Sequence, residues 1–365
     1  MASMALARLH IQNIRNIAEA RIELAPSLNV ICGLNASGKT SLLEAIYLLG
    51  RAKSFRSSQL QKVITRGASG LTVFGQIAGE KEQCIPVGIA WSADKMRMKV
   101  AGQPVTRTSD LASHLPLLLI TPDSHKILSL GPRLRRRFMD WGVFHVEHDF
   151  MTAWSRYCRA LRQRNASLRL PARQMPENVW DKTLAETAQQ IDQFRRNYLR
   201  DFLPLFAGFV EKLLQRNDIS LRYLPGWAQE EDYHASLIRS LERDRSLGHT
   251  SRGPHRADVI VEADGRPAHE HTSGGQQKLL MCAMYLAQAA LLKNRTSRQC
   301  LILIDDLPAE LDVRHRARLM ELLCESGAQI IITATDRALI EIPHAVEHGM
   351  FHVEQGVIIE QRQYL

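Results

Sequence analysis

Eight consecutive residues, Gly33-Leu34-Asn35-Ala36-Ser37-Gly38-Lys39-Thr40, have the types and spacing of a complete phosphate-binding P-loop. Glycines at 33 and 38 let the backbone wrap so that N–H groups and the start of the following helix face an anion. Lys39 is placed to meet the β- and γ-phosphates of ATP, and the Thr40 hydroxyl to ligate Mg²⁺. The run Leu28-Asn29-Val30-Ile31-Cys32 before the loop reads as a strand and Lys39 to Leu49 after it as an amphipathic helix, so the motif has the strand-loop-helix context it needs.

Two further elements fit the same chemistry. Leu301-Ile302-Leu303-Ile304-Asp305-Asp306 is an apolar strand ending in carboxylates. Asp305 is expected to hold Mg²⁺, directly or through water, and Asp306 to polarise the attacking water. Thr272-Ser273-Gly274-Gly275-Gln276-Gln277-Lys278 puts a Ser-Gly-Gly turn at a helix start, a place that binds anions, although an ordinary N-cap is the commoner meaning of a serine there. The order of the three motifs along the chain is that of an ABC-type ATPase, with Lys39 and Asp306 as the catalytic pair.

These motifs need a sheet to carry them. Strands are expected at Leu6 to Ile11, Ala20 to Leu24, Leu28 to Cys32, Leu71 to Ile77, Ile85 to Trp91 and Met96 to Val100, with a hairpin turn at Ala101-Gly102-Gln103-Pro104 and Gly50 stopping the first helix. From Pro122 to Asp244 the pattern becomes helical and arginine-rich, broken near Pro171 and Pro176 and at Pro225-Gly226. After Gly253 come a strand at Asp258 to Glu262, a helix at Gln276 to Leu292, and buried strands at Cys300 to Ile304 and Gln329 to Ala334. The expected organisation is an α/β ATPase lobe split between 1–121 and 246–365 around a mainly helical lobe at 122–245.

The chain has 365 residues, 45% of them hydrophobic, enough for a sizeable core. Its six cysteines are too far apart for a Cys-x-x-Cys pair, which argues against a zinc knuckle or redox dithiol. The first ten residues lack a sustained apolar stretch, and the longest apolar run, Leu279 to Leu292, falls short of the ~20 residues of a membrane span. A cytoplasmic, nucleoid-associated protein is expected, with no membrane partner. Net charge +9 and a pI near 9.4 point to a polyanionic partner, although ribosome association or plain solubility gives the same balance.

Between 133 and 173 ten arginines (133, 135, 136, 137, 156, 159, 162, 164, 169 and 173) face three acids, Asp140, Glu147 and Asp149. Arg135, Arg136, Arg137, Arg156 and Arg159 are the candidate DNA contacts, the alternative for any one of them being a solvated helix face or an internal ion pair, and Arg156, Arg159 and Arg162 or Arg164 can share one helix face. Five such contacts give a log–log salt slope of about −4 to −5. Arg56, in Lys53-Ser54-Phe55-Arg56, is a further candidate, a surface loop being the alternative. His145 and His148 lack further ligands at metal-binding spacing, and the sequence assigns no role to His255.

The motifs together resemble the RecF family of bacterial recombination mediators, of the same ATPase class as Rad50 and SMC heads. The resemblance extends to Ile120-Thr121-Pro122-Asp123, Gly131 to Gly142, Ala153-Trp154-Ser155, Leu161 to Ala166, Gly253 to Asp258 and Ala309-Glu310-Leu311-Asp312, nearly the whole chain. It implies a two-lobed P-loop ABC-type head, Rad50/SMC-like but without a long coiled coil, that dimerises around two ATP molecules and binds single-stranded, duplex and gapped DNA. It further implies action with RecR and RecO to place RecA on gapped DNA, repair and replication restart, and support of the SOS response. Ser273, Gly274, Gly275 and Gln276 would contact the γ-phosphate held by the other subunit's Gly33 to Thr40, and Asp312 would sit in the loop crossing the seam. Three departures stand out. Asp306 replaces the glutamate common in the wider class, which suggests slow, switch-like, DNA-dependent hydrolysis; Ile332 to Asp336 offers hydroxyls and an aspartate where transporter subunits place a histidine sensor; Leu130 stands in place of a glycine. A transporter-energising subunit and a DNA-processing nuclease are the rival readings; the basic helical lobe argues against the first, and the lack of an additional acidic metal cluster against the second.

Overall fold

The computed structural model describes residues 5–79, 84–170, 179–228, 232–306, 311–343 and 346–360. The chain opens with β1 (Ala5–Ile14), β2 (Ile17–Glu23) and β3 (Leu28–Cys32), then the P-loop and α1 (Lys39–Arg51). β4 (Gly70–Ala78), β5 (Cys84–Ser92), β6 (Lys95–Val100), β7 (Gln103–Val105), α2 (Thr108–His114) and β8 (Leu117–Ile120) follow. The middle comprises α3 (Pro132–Val146), α4 (Phe150–Ser167), α5 (Val179–Leu214), β9 (Ile219–Leu224), α6 (Tyr233–Arg239), α7 (Leu241–Leu247), β10 (Asp258–Ala263), β11 (Arg266–Pro267) and α8 (Ala268–His271). The chain closes with α9 (Gly274–Thr296), β12 (Leu301–Ile304), α10 (Val313–Glu325), β13 (Gln329–Ala334), β14 (His348–Glu354) and β15 (Val357–Glu360).

Two compact units result, Met1–Ser124 with Cys282–Leu365, and His125–Met281. In the first unit, a sheet of order β15-β14-β3-β13-β12-β8 is parallel except for its edge strand β15. Its central strands are buried at every position of Leu28–Cys32, Leu301–Ile304 and Gln329–Ala334, the continuous apolar runs that a parallel sheet covered on both faces requires. A second, antiparallel sheet, β2-β1-β4-β5-β6-β7, alternates burial along β4. α1 and both sheets contribute to one apolar core containing Leu42, Leu43, Ile46, Leu49, Leu9, Ile11, Val73, Ile331 and Phe351.

Gly50 does not stop α1. It lies inside the helix, where a Cβ would come 3.3 Å from Leu117 Cδ1 and 3.4 Å from the Leu115 carbonyl, and the helix ends instead at Ala52 in the left-handed region. The hairpin turn at Ala101-Gly102 forms as expected, both residues taking positive φ.

The second unit holds α3 to α8, the start of α9, and a three-stranded sheet β11-β10-β9. β10 pairs antiparallel with β9, Asp258 opposite Leu224 through Ala263 opposite Ile219, so it does not rejoin the sheet of the P-loop. The second division of the chain therefore falls after Met281, within α9, rather than near residue 245. Pro171, Arg173, Pro176, Ala309 and Glu310 lie outside the described residues.

Candidate nucleotide site and basic surface

The P-loop packs too closely against strand β14 for a side chain at its first residue. A Cβ on Gly33 would sit 2.3 Å from the Val353 carbonyl oxygen and 2.8 Å from Ser37 Oγ, and Gly38 takes φ +126 at the N-cap of α1. No side chain caps α1, so its first N–H groups keep their capacity for an anion. Leu34, Asn35 and Ala36 are exposed, Ala36 in the left-handed region, while Ser37, Gly38 and Lys39 are buried. Lys39 Nζ donates to the Gly33 carbonyl at 2.8 Å and the Leu34 carbonyl at 3.1 Å, which leaves one of its three protons for a phosphate oxygen. Ser37 Oγ is buried with no hydrogen-bond partner among the described residues.

Two hairpin tips hold the base of this loop, and neither was apparent from the motif. Asn16, at the β1–β2 tip, donates Nδ2–H to the Ser37 carbonyl at 2.9 Å and accepts from Ser41 Oγ at 3.0 Å, bridging the residues on either side of Gly38-Lys39-Thr40. Gly356, at the β14–β15 tip, donates its N–H to the same Ser37 carbonyl at 2.7 Å. One turn beyond Thr40, fully buried Glu44 accepts both Arg15 Nε–H at 2.8 Å and Nη2–H at 2.9 Å, and it also accepts from Ser54 Oγ. That carboxylate raises the Arg15 pKa. An acid four residues after Thr40 on the inner face of an apolar helix was the available signal.

The acidic strand end meets the P-loop directly. Thr40 Oγ1 donates to Asp305 Oδ1 at 3.1 Å, and Thr333 Oγ1 donates to the same oxygen at 2.9 Å. An octahedral Mg²⁺ with bonds near 2.1 Å sets neighbouring ligand oxygens about 3 Å apart, so the Thr40 and Asp305 oxygens suit that ion. Burial pushes the Asp305 carboxyl above its ordinary range, hydrogen bonds from Thr333 and Thr40 pull it back, and the Arg56 charge acts in the same lowering direction. Asp306 takes φ +51, donates its N–H to Thr333 Oγ1 at 3.0 Å, and keeps Oδ1 buried without a partner among the described residues. Thr333 is thus the hydroxyl of the 332–336 segment that touches both aspartates. Arg56 is exposed and lies 3.9 Å from Glu44.

Ser273 and Gln276 form a reciprocal capping box at the start of α9: Ser273 N–H donates to Gln276 Oε1 at 3.0 Å, and Gln276 N–H to Ser273 Oγ at 3.3 Å. Gly274 and Gly275 are exposed, with nothing within 4 Å of where a Cβ would sit. Asp312 caps α10 by accepting from His315 N–H at 3.0 Å and pairs with His315 Nδ1 at 2.5 Å; these contacts hold its carboxyl below the usual range.

The arginines of the second unit divide by burial. Arg135 belongs to the interior and not, as the sequence suggested, to a DNA-facing surface. It is 9% exposed, grips Asp258 with two bonds of 2.8 Å and donates to the Leu128 carbonyl at 3.0 Å. Its spacing from buried Phe138 and Gly142 placed it on the inner helix face. Arg164, which the sequence offered as an alternative to Arg162, is buried between Asp181 and Asp244, each at 2.8 Å. Arg136 is half-buried and donates to the Ala257 carbonyl at 2.6 Å. Arg137, Arg156, Arg159 and Arg162 are exposed.

His255 is held through both ring nitrogens. Nε2–H donates to the Thr250 carbonyl at 3.0 Å, so Nδ1 accepts from the Tyr157 hydroxyl at 2.6 Å. Burial lowers its pKa to about 4. No cluster of three or more metal-ligating side chains occurs among the described residues, nor any helix long and apolar enough to cross a membrane.

Known proteins agree with this architecture over nearly its full length. The family profile "RecF/RecN/SMC N terminal domain" matches residues 5–359. The DNA replication and repair protein RecF of Stutzerimonas stutzeri is 41% identical over 361 residues, covering 98% of each chain. That of Edwardsiella ictaluri is 42% identical over 357 residues, covering 97% of this chain and 99% of its own. Among solved structures, the recombination mediator protein RecF with ATP, in the RecFOR pathway, superposes with a TM-score of 0.86 at 25% identity, covering 99% of this chain and 98% of that one. An Smc head bound to the C-winged helix domain of ScpA gives 0.62 at 15% identity, with coverage of 98% and 97%, a likeness of fold. The chain belongs to the RecF family, with the fold of a P-loop ABC-type ATPase head of the SMC class.

Proposed function

We propose that this protein is an ATP-switched, DNA-binding recombination mediator of DNA repair and replication restart, acting in the cytoplasm on nucleoid DNA. The observation that carries the reading is the chain of contacts from Thr40 through Asp305 and Thr333 to Asp306, which ties the start of the P-loop helix to the acidic strand end. Lys39 and the uncapped N–H groups of α1 bind the phosphates, and Thr40 and Asp305 hold Mg²⁺. The ion, when bound, screens the charge that builds up on the transferring phosphate. Asp306 orients water for attack, and its shorter side chain in place of a glutamate makes hydrolysis slow enough to serve as a timer.

Ser273, Gly274, Gly275 and Gln276 of one copy would complete the site of a second copy, with Asp312 at the seam. The capping box uses the Ser273 and Gln276 N–H groups, and between them Gly274 and Gly275 are exposed with no side chain to keep an anion from the backbone. ATP then joins two heads on DNA and hydrolysis parts them, through Arg56, Arg137, Arg156 and Arg159 as DNA contacts. The relatives' names and the RecFOR setting of the RecF–ATP structure support a recombination-mediator role with RecR and RecO as partners; RecA loading and a link to the SOS response complete the proposal, on the family resemblance alone.

Sedimentation with and without Mg–ATP tests the switch. The wild type is expected to dimerise with ATP and revert as it hydrolyses; Asp306→Asn should slow turnover about a hundredfold or more and hold the dimer. A dimer fraction that ignores ATP in both proteins would sink the reading.

A further inference from the structure

The turn Gly253 to Ala257 in the second unit is fixed at each residue but one. Gly253 takes φ +128, and a Cβ there would sit 2.2 Å from the Tyr233 hydroxyl and 2.6 Å from that of Tyr157. Its N–H donates to the Gly226 carbonyl at 3.0 Å. The Pro254 carbonyl accepts from Arg195 Nη1 at 2.9 Å, His255 is clamped through both nitrogens, and the Ala257 carbonyl accepts from Arg136 Nη1 at 2.6 Å. Arg256 is the one exposed side chain of the five. Such a turn presents a single guanidinium from a support that loses little freedom when a ligand is bound.

The charge around this turn is unbalanced. Asp258 is engaged bidentately by Arg135 and Asp140 by Arg195. Arg136 and Arg256 form no ion pair among the described residues. Burial is the main cause that lowers the pKa of Arg136; the charges of Arg195 and Arg256 lower it further, while Asp258 and Asp140, each already gripped by another arginine, offset part of that. Arg133, one turn back on α3, is exposed and extends the charge on the same side.

We propose that Arg256, presented by this turn beside Arg136, binds a phosphodiester of the DNA backbone and fixes the register of the nucleic acid on the second unit. The proposal rests on the DNA-binding reading above. Two planar guanidinium forks match phosphate oxygens in a way a lysine ammonium does not. His255 is a positioning residue for this contact: it holds the turn and leaves the anion to its neighbour.

The test is fluorescence anisotropy with a short labelled DNA duplex, from about 50 to 200 mM salt, alongside ATP affinity and melting temperature. Arg256→Ala should weaken DNA binding about tenfold and shallow the log–log salt slope by about one, with ATP affinity and melting temperature unchanged. Arg256→Lys should restore the slope but only part of the affinity. His255→Gln should lower affinity at unchanged slope, since the charge remains while the turn loosens. Unchanged DNA binding in Arg256→Ala overturns the site alone. A loss confined to ATP affinity assigns the arginine to nucleotide and overturns it too, as does a loss that tracks melting temperature with no change of slope. A wild type that fails to bind DNA at all overturns the DNA reading and this contact together.

Discussion

Burial keeps His255 neutral, and the cost appears only when the solution offers a proton. Its pKa falls from 6.5 to about 4, mainly through desolvation. An unfolded histidine takes up its proton below about pH 6.5, whereas the folded one resists until about pH 4. The stabilisation is therefore fully present above 6.5 and is lost as pH falls through 4. A difference of about 2.5 units at 1.36 kcal/mol each makes roughly 3 kcal/mol. Asp305 works in the opposite sense: its raised pKa makes the folded form the better proton acceptor as pH falls. Comparing the wild type with His255→Gln removes that contribution. The wild type should lose about 3 kcal/mol relative to the variant between pH 6.5 and 4, measured by urea unfolding at a series of pH values. Parallel stability curves would show that the imidazole protonates without penalty.

Single elements explain why parts of the site were legible and others were not. Strand β3, the P-loop and α1 are contiguous, so their chemistry is written in twenty-odd residues of local pattern, and Asp305 follows from an apolar strand ending in acid. Asn16 reaches the loop from a hairpin tip 21 residues before Ser37, and Gly356 from one near the other end of the chain. Gln355 and Gly356 take φ +49 and +81, both positive as a tight two-residue hairpin demands, but Gln-Gly lacks the Asn-Gly signature that would advertise it. The strands flanking that tip, β14 and β15, went unread for the same reason. The tip's role yields a prediction: Gly356→Ala would place a Cβ 2.0 Å from the Asn16 carbonyl oxygen at a φ that alanine tolerates poorly. Strain and displacement should cost at least about 2 kcal/mol. Because Gly356 and Asn16 both bond the Ser37 carbonyl, ATP affinity should fall together with the melting temperature. Isothermal titration with ATP decides it; unchanged affinity in a destabilised protein would detach the hairpin tip from the nucleotide loop.

For the whole molecule, net charge overstates the exposed basic surface, because charge counts do not say which way a helix turns. Arg135, Arg164 and Arg195 are nine-tenths or more buried, and each holds a carboxylate. Arg156, Arg159 and Arg162 remain exposed along α4 at spacings of three, one side of the helix. These two groups should part cleanly in one experiment. If the proposed DNA contacts hold, replacing Arg156, Arg159 and Arg162 together with alanine removes up to three phosphate contacts, so the salt slope should shallow by about 2.7 while the melting temperature stays near wild type. Arg135→Ala leaves Asp258 buried without its cation and should cost about 3–5 kcal/mol of stability. Its DNA salt slope, measured below the new melting temperature, should match the wild type. An Arg135 variant that keeps its stability but loses slope would reverse the assignment, returning that arginine to the DNA surface and making its grip on Asp258 dispensable.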